Sequence, residues 1–225
     1  NDNGNNGRTE LVFVVDRSGS MGGLESDTIG GFNSMLSKQR TIAGECRVTT
    51  LLFDHRIETL HNHLDIREVN DLTSRDYWVR GSTALLDAIG LAIDRMIVTQ
   101  RHTAAAYRAQ HVLFVIITDG YENASRRYSL HQIKQMITYE RERYHWEFVF
   151  LGANIDAEQT AGDFGISPRC ATDFHADGQG IKASFEAVAC AATAVRGGAD
   201  LDDLSAPDFL GGVRDDYRSR RRMKR

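Results

Sequence analysis

Three short stretches of the chain, with the sequences D-R-S-G-S, G-S-T and T-D-G, carry oxygen-bearing side chains beside glycine. The residues concerned are Asp16, Ser18, Ser20, Thr83 and Asp119. Two carboxylates and three hydroxyls, with no His or Cys among them, are hard oxygen ligands that suit Mg²⁺ or Mn²⁺ and disfavour Zn²⁺ or Cu²⁺. We therefore predict that these five residues bind a divalent cation, with Mg²⁺ (or Mn²⁺) as the cofactor.

Both carboxylates come directly after a continuous apolar run. Residues 11–15 precede Asp16, and residues 112–117 precede Thr118 and Asp119. Such runs are typical of strands that are covered on both faces, and an open α/β sheet binds its ligands at the carboxyl ends of its strands. If the two strands are neighbours, their ends lie about 5 Å apart. Two carboxylates at that separation repel each other unless a proton or a cation lies between them.

The remaining elements predict the fold class. Apolar runs or alternation predict further strands at 47–53, 57–60 and 148–151, and a weak one at 171–174. Apolar residues spaced three and four apart predict helices at 29–36, 85–97, 130–137 and 181–192. We expect an α/β fold with a doubly wound, mostly parallel six-stranded sheet in the order 3-2-1-4-5-6 and helices on both faces. The short strand at 57–60 is expected to be an antiparallel edge.

The three motifs, in this order and spacing, resemble the metal-ion-dependent adhesion site (MIDAS) of von Willebrand factor type A (vWA) domains. The resemblance covers roughly residues 9–197 and implies a Rossmann-like vWA fold. It also implies that the hydroxyls of Ser18, Ser20 and Thr83 contact the metal directly, whereas Asp16 and Asp119 act directly or through water. The implied function is protein binding, in which a carboxylate of the partner completes the metal shell. A free-standing bacterial type is implied, working beside a ring ATPase or a stress-response complex.

Six residues near these motifs are candidates for a rim that contacts the partner. Exposed aromatic side chains beside a polar centre are typical of interface anchors; packing against the underlying helix ends is the alternative. Charged side chains at the rim could select the partner's charge, or could simply be solvated. The candidates are Arg17, Tyr77, Trp78, Arg80, Tyr121 and Glu122.

The sequence offers little support for an enzyme. It contains neither a dinucleotide-binding G-x-G-x-x-G nor a P-loop motif. A Mg²⁺-dependent phosphatase of the haloacid dehalogenase type has a second acid two positions after its first aspartate, where this chain has Ser18. We therefore expect a binding module and no catalytic residues, with a hydrolase or a scaffold subunit as the alternatives. A zinc site at His61, His63 and Asp65 is less favoured than a polar edge hairpin.

Composition limits the class of partner and the domain boundaries. Residues 217–225 contain six Lys or Arg and no acid, although the whole chain has a net charge of −4. The acidic remainder does not suit nucleic acid, and no apolar run is long enough to span a membrane. Three widely spaced cysteines indicate reduced thiols and a cytoplasmic location. We expect a disordered lead-in at 1–8, the vWA domain at 9–197, and a C-terminal appendage with a basic tail at 198–225.

Overall fold

Six strands form one sheet in the order β3-β2-β1-β4-β5-β6 in a computed structural model, which describes residues 7–223. The strands are β1 (Thr9–Asp16), β2 (Cys46–Phe53), β3 (Ile57–Asp65), β4 (His111–Thr118), β5 (Glu147–Gly152) and β6 (Ala171–Asp173). All neighbours are parallel except β2 and β3, which pair antiparallel at one edge. The predicted strand order and antiparallel edge are confirmed.

Within residues 7–223, six α-helices lie around the sheet. They are α1 (Glu25–Arg40), α2 (Leu85–His102), α3 (Leu130–Tyr144), α4 (Ala157–Asp163), α5 (Gly178–Arg196) and α6 (Gly211–Met223). On one face, the ring of Phe13 in β1 contacts Phe32 of α1, which in turn contacts Phe185 of α5. These edge-to-face contacts join the two helices to the centre of the sheet.

The opposite face carries α2 and α3. Phe13 pairs in register with Val115, so the side chain of Phe114 points to the other side of the sheet. Phe114 stacks there on Phe148 of β5 and on Trp146, with ring centroids 4.9 and 5.5 Å apart. Every residue of β1 is buried, as its continuous apolar run predicts for a strand covered on both faces.

The edge strand β3 is longer than predicted, because it extends through a bulge. Its pairing with β2 shifts register on both sides of Thr50, and His63 adopts a positive φ of 55°. The bulge gives the two histidines separate partners: His61 Nδ1 lies 3.0 Å from Thr50 Oγ1, and His63 Nδ1 lies 2.7 Å from Glu10. Within residues 7–223, no group of three His, Cys, Asp or Glu side chains is placed to hold a metal ion.

Both predicted ends of the domain need correction. Residues 1–6 of the expected lead-in lie outside the described residues, but Arg8 is held in place, since its guanidinium donates to Glu45 at 2.8 Å and to the carbonyl of Ala106 at 2.6 Å. The segment after 197 is not an appendage. The side chains of Leu210 and Val213 are buried in the same core as the sheet.

A single arginine explains much of how α6 docks. The guanidinium of Arg214 donates to the backbone carbonyls of Pro168, Arg169 and Ala171, at 3.0 to 3.1 Å, at the start of β6. Arg220, in the basic tail, forms ion pairs with Asp177 and Asp216 instead of facing solvent alone. The end of that tail, Lys224 and Arg225, lies outside the described residues. In the described part of the chain, no helix has the length and hydropathy needed to cross a membrane.

Candidate metal centre

The two aspartates of the predicted site lie at the ends of adjacent parallel strands. Asp16 is the last residue of β1, and Asp119 follows Thr118 at the end of β4. The Asp16 side chain is fully buried. One of its oxygens accepts the backbone N–H of Ser18 and the other accepts the hydroxyl of Thr118, both at 2.6 Å. Asp16 therefore ties its own loop to the neighbouring strand.

The three predicted hydroxyl ligands form one connected cluster. Ser18 Oγ lies 2.9 Å from Ser20 Oγ, and Thr83 Oγ1 donates to Ser18 Oγ at 3.1 Å. Gly120 closes the group from the third loop, since a Cβ added there would lie 3.3 Å from Ser20 Oγ and 3.6 Å from Thr83 Oγ1. The structure thus brings together side chains from three stretches that are far apart in the sequence.

Backbone hydrogen bonds hold the second loop against the first. Arg80 N donates to Arg17 O at 3.0 Å, and Gly19 N donates to Gly81 O at 3.1 Å. Gly81 has a φ of 67°, and a Cβ added there would lie 2.2 Å from His55 Nδ1. Glycine is the residue that accepts both the left-handed backbone and the close imidazole. This turn places Thr83 beside Ser18.

A residue that sequence reasoning missed connects Thr83 to the third loop. Asn123 accepts the backbone N–H of Thr83 through its side-chain oxygen at 2.9 Å and donates its own N–H to Thr83 O at 3.0 Å. The preceding residue, Glu122, was predicted to lie on the rim. Its carboxylate instead accepts the backbone N–H groups of Leu86 and of Ser125, so it caps the first turn of α2.

Asp119 has the feature that best fits a bound cation. Its side chain is buried, and Oδ1 has no hydrogen-bond partner within the described residues 7–223. Burial raises the pKa of Asp119 to about 6, with a further contribution from the negative charge of Asp16 and a partial offset by the Ser20 hydroxyl. Burial also raises the pKa of Asp16. Among residues 7–223, no basic side chain lowers the pKa of either carboxylate.

The donor set fits a hard divalent cation. Two carboxylates balance a charge of +2, and hydroxyl oxygens retain lone pairs when they donate to one another. Mg²⁺ and Mn²⁺ prefer such oxygen ligands and usually keep several waters in their shell. A bound cation would give Asp119 Oδ1 the partner that the protein itself does not supply.

Tyr77 is not a rim residue, and its predicted exposure is wrong. Its side chain is 1% exposed, and its hydroxyl donates to the backbone carbonyl of Asp16 at 2.5 Å. An aromatic ring with a polar tip can be buried when the hydroxyl finds a partner. Tyr77 therefore supports the metal-site loop from beneath it.

Arg17 is also buried, with an exposure of 1%. Its guanidinium lies between two acids: Nε is 3.3 Å from Asp54, and Nη2 donates to Glu58 at 2.7 Å. Asp54 is fully buried at the carboxyl end of β2 and also accepts from Arg80 Nε at 2.7 Å. A buried carboxylate needs such partners, which explains why Arg17 points away from solvent. The rule that polar residues gather at strand ends could have identified Asp54.

Two of the predicted aromatic residues are exposed beside the site. Trp78 is 43% exposed, and its ring contacts the guanidinium of Arg80 at 4.4 Å and that of Arg17 at 5.5 Å. Tyr121, in the loop after Asp119, is 64% exposed. These two side chains are available to contact a partner.

Comparison with known proteins gives similarity at the level of structure. No protein-family model matches the chain, and no curated protein matches it by sequence. Proximal thread matrix protein 1 from the mussel byssus, in the form with a zinc-occupied MIDAS motif, superimposes with a TM-score of 0.58 and 15% identity. That match covers 83% of this chain and 46% of the mussel protein, so the chain spans less than half of its length.

A second solved structure gives a similar result. The manganese-loaded TRAP protein of Plasmodium vivax matches with a TM-score of 0.53 and 15% identity, over 80% of this chain and 72% of that protein. Another crystal form of the mussel protein matches at a TM-score of 0.55 and 14% identity. At these identities the similarity concerns the fold, and the fold is vWA-like, as predicted. The free-standing bacterial type stays a prediction.

Proposed function

We propose that this chain is a metal-dependent protein-binding module. In this proposal, Mg²⁺ or Mn²⁺ is held by Asp16, Ser18, Ser20, Thr83 and Asp119. The cation, when bound, supplies an electrophilic coordination position for a carboxylate of a protein partner. The observation that carries the proposal is the buried Asp119 Oδ1, which has no partner in residues 7–223 and lies in the loop that closes the hydroxyl cluster.

The chain's own residues contribute preorganisation. Asp16 orients Ser18 and Thr118 through its two carboxylate oxygens, and Asn123 fixes Thr83 through two hydrogen bonds. Because these contacts already exist, binding a cation needs little further ordering of the loops. Low ordering cost favours affinity.

The exposed aromatic side chains support a protein as the partner. Trp78 and Tyr121 are exposed in the segments that carry the candidate ligands, and aromatic residues of this kind often dominate the binding energy of an interface. Around the partner's carboxylate they would exclude water. The family resemblance extends the proposal to a cytoplasmic module of the bacterial type that works with a ring ATPase or a stress-response complex.

We favour binding over hydrolysis, which is the second candidate. Ser18 occupies the position where a haloacid dehalogenase-type phosphatase carries its general acid, and its hydroxyl is engaged in the cluster with Ser20 and Thr83. A generic phosphate ester with Mg²⁺ is the direct assay. We expect no turnover above an Asp16→Asn control; Mg²⁺-dependent turnover that this substitution abolishes would favour the enzyme.

The test of the proposal is a titration of Mg²⁺ and of Mn²⁺ by calorimetry, combined with affinity capture from source lysate. We expect Asp16→Ala and Asp119→Asn to lose metal binding, and the captured partner to be released by EDTA. Asp215→Asn, an exposed aspartate on α6, serves as the control and should behave as the wild type. Unchanged metal affinity in Asp119→Asn would refute the ligand assignment. A complex that survives EDTA would instead indicate a scaffold.

A further inference from the structure

A cavity lies at the amino ends of the strands, opposite the carboxyl ends at which the candidate metal centre lies. It has a volume of about 170 Å³ and opens at the amino ends of β4 and β5, between α2 and α3. Its lining includes Ile97, Arg101, Arg108, Glu140, Tyr144 and Trp146. The cavity is therefore remote from the site already described and combines both signs of charge with aromatic walls.

The inner polar group of this cavity is a buried carboxylate. Glu140 is 4% exposed. Its carboxylate is in no ion pair within residues 7–223 and faces the cavity. Burial raises its pKa, and the nearby charge of Arg101 lowers it in part without forming an ion pair. The carboxylate lies on the cavity lining and is only partly desolvated, so its oxygens are open to a positively charged donor from a ligand.

Two arginines provide the opposite charge on the cavity lining. Arg108 donates from Nε to the backbone carbonyl of Thr103 at 2.9 Å, which holds the guanidinium in place and leaves its terminal nitrogens available. Arg101 is exposed at the end of α2 and lines the same cavity. Planar guanidinium groups of this kind bind carboxylates well. The cavity thus offers an acceptor for a cation and donors for an anion.

The remaining wall is apolar, and the volume limits what can fill it. Ile97 and Trp146 contribute buried or half-buried apolar surface, and the Trp146 ring is fixed by stacking on Phe114. A cavity of about 150 Å³ holds one benzene molecule. Drug-sized ligands need roughly 300 Å³ or more. A single apolar side chain matches the space available.

We propose that this cavity binds a free α-amino acid with an apolar side chain. Its ammonium group would donate to Glu140, its carboxylate would accept from Arg101 and Arg108, and its side chain would pack on Trp146. A zwitterion satisfies both charges at once, which an amine alone or an acid alone does not. This inference does not depend on the metal centre.

Ligand analogues test the proposal on the wild-type protein. Calorimetric titrations with leucine and valine at millimolar concentration should show saturable binding. Leucinamide lacks the carboxylate and N-acetylleucine lacks the ammonium, so each should bind at least about tenfold more weakly than leucine. A peptide N-terminus as the natural ligand would instead let leucinamide bind as well as leucine, which would overturn the proposal. Absence of binding for all apolar amino acids would also overturn it.

A matched pair of variants tests the role of the carboxylate. Glu140→Gln should weaken leucine binding by roughly tenfold or more, since it loses a charged hydrogen bond. Glu142→Gln changes an exposed carboxylate on the same helix and should leave binding unchanged. Equal leucine affinity in Glu140→Gln and the wild type would contradict the proposal. If Glu140→Gln does not fold, Arg108→Ala, at an exposed position, supplies the same test for the ligand's carboxylate.

Discussion

The hydroxyl of Tyr77 donates a 2.5 Å hydrogen bond to the backbone carbonyl of Asp16, from a ring that is almost fully buried. The bond joins the segment before Gly81 to the residue that begins the metal-site loop. It thus couples packing beneath the candidate site to the position of Asp16, one of its proposed carboxylate ligands.

Tyr77→Phe should therefore weaken metal binding without unfolding the protein. The ring keeps its packing, but the carbonyl of Asp16 loses its donor, at a cost of about 1–3 kcal/mol in the free energy of unfolding. Thermal unfolding and Mg²⁺ calorimetry measure the two effects. Tyr139→Phe, at an exposed tyrosine on α3, is the control and should change neither. Unaltered Mg²⁺ affinity in Tyr77→Phe would show that this hydrogen bond does not position the loop.

The strands and the five candidate ligands were predictable because their signals are local. A continuous apolar run predicts a strand covered on both faces, and the polar residue that ends the run marks the edge at which ligands gather. Asp16 and Asp119 both follow that pattern, and the structure places them at the ends of adjacent strands.

The directions of side chains in the loops were not predictable from local patterns. Arg17 and Tyr77 are polar or amphipathic residues in loops, and their burial depends on partners distant in sequence, Glu58 and Asp16. The docking of α6 was missed for a related reason. The buried residues Leu210, just before α6, and Val213, within it, are few among many arginines, and Arg214 makes the contact that decides the packing, to distant carbonyls.

The buried charge cluster next to the site gives the second prediction. Asp54 is fully buried and balances Arg17 and Arg80. Asp54→Ala leaves the buried guanidinium of Arg17 short of a partner and should lower the free energy of unfolding by about 3–5 kcal/mol. Asp71→Ala removes the exposed partner of Arg40 and should cost less than about 1 kcal/mol. Denaturant unfolding compares the two; similar losses in both variants would contradict the buried-pair argument.

Glycine substitutions separate local strain from general helix propensity. Gly81→Ala forces a Cβ into a left-handed backbone and against His55, so we expect both lower stability and weaker Mg²⁺ binding. Gly30→Ala lies in α1 with open space around the added Cβ and should stabilise the protein by about 0.5–1 kcal/mol. Melting temperatures of the two variants should move in opposite directions. A Gly81→Ala variant that melts at or above the wild-type temperature would show that the Gly81 turn is not strained by a side chain.

Stability should depend on pH through Glu147 at the start of β5. Burial raises its pKa to about 7, helped by the charge of Asp200, from an ordinary value of 4.5. The folded state therefore binds this proton more tightly than the unfolded state. Its stabilising contribution is complete below about pH 4.5 and is lost as the pH rises through about 7.

Glu147→Gln keeps the shape of the side chain and removes the titration. We expect it to be more stable than the wild type at pH 8, with the difference shrinking as the pH falls towards 5. Denaturant midpoints measured across this range provide the test. A wild type that loses no stability relative to the variant between pH 5 and 8 would exclude a raised pKa for Glu147.

Addition of metal should stabilise the folded protein, because the unfolded chain does not assemble the three loops. Free Mg²⁺ at about 100 times its dissociation constant should add about 2.7 kcal/mol to the free energy of unfolding. Asp119→Asn removes one carboxylate and should abolish the stabilisation by Mg²⁺. At neutral pH, it should also make the metal-free protein more stable than the wild type, because it replaces a buried carboxylate, one oxygen of which has no partner within residues 7–223, with a neutral amide. Melting curves with Mg²⁺ or EDTA measure both effects. A metal-free Asp119→Asn variant that melts well below the wild type would show that Asp119 stabilises the fold and does not serve to bind a cation.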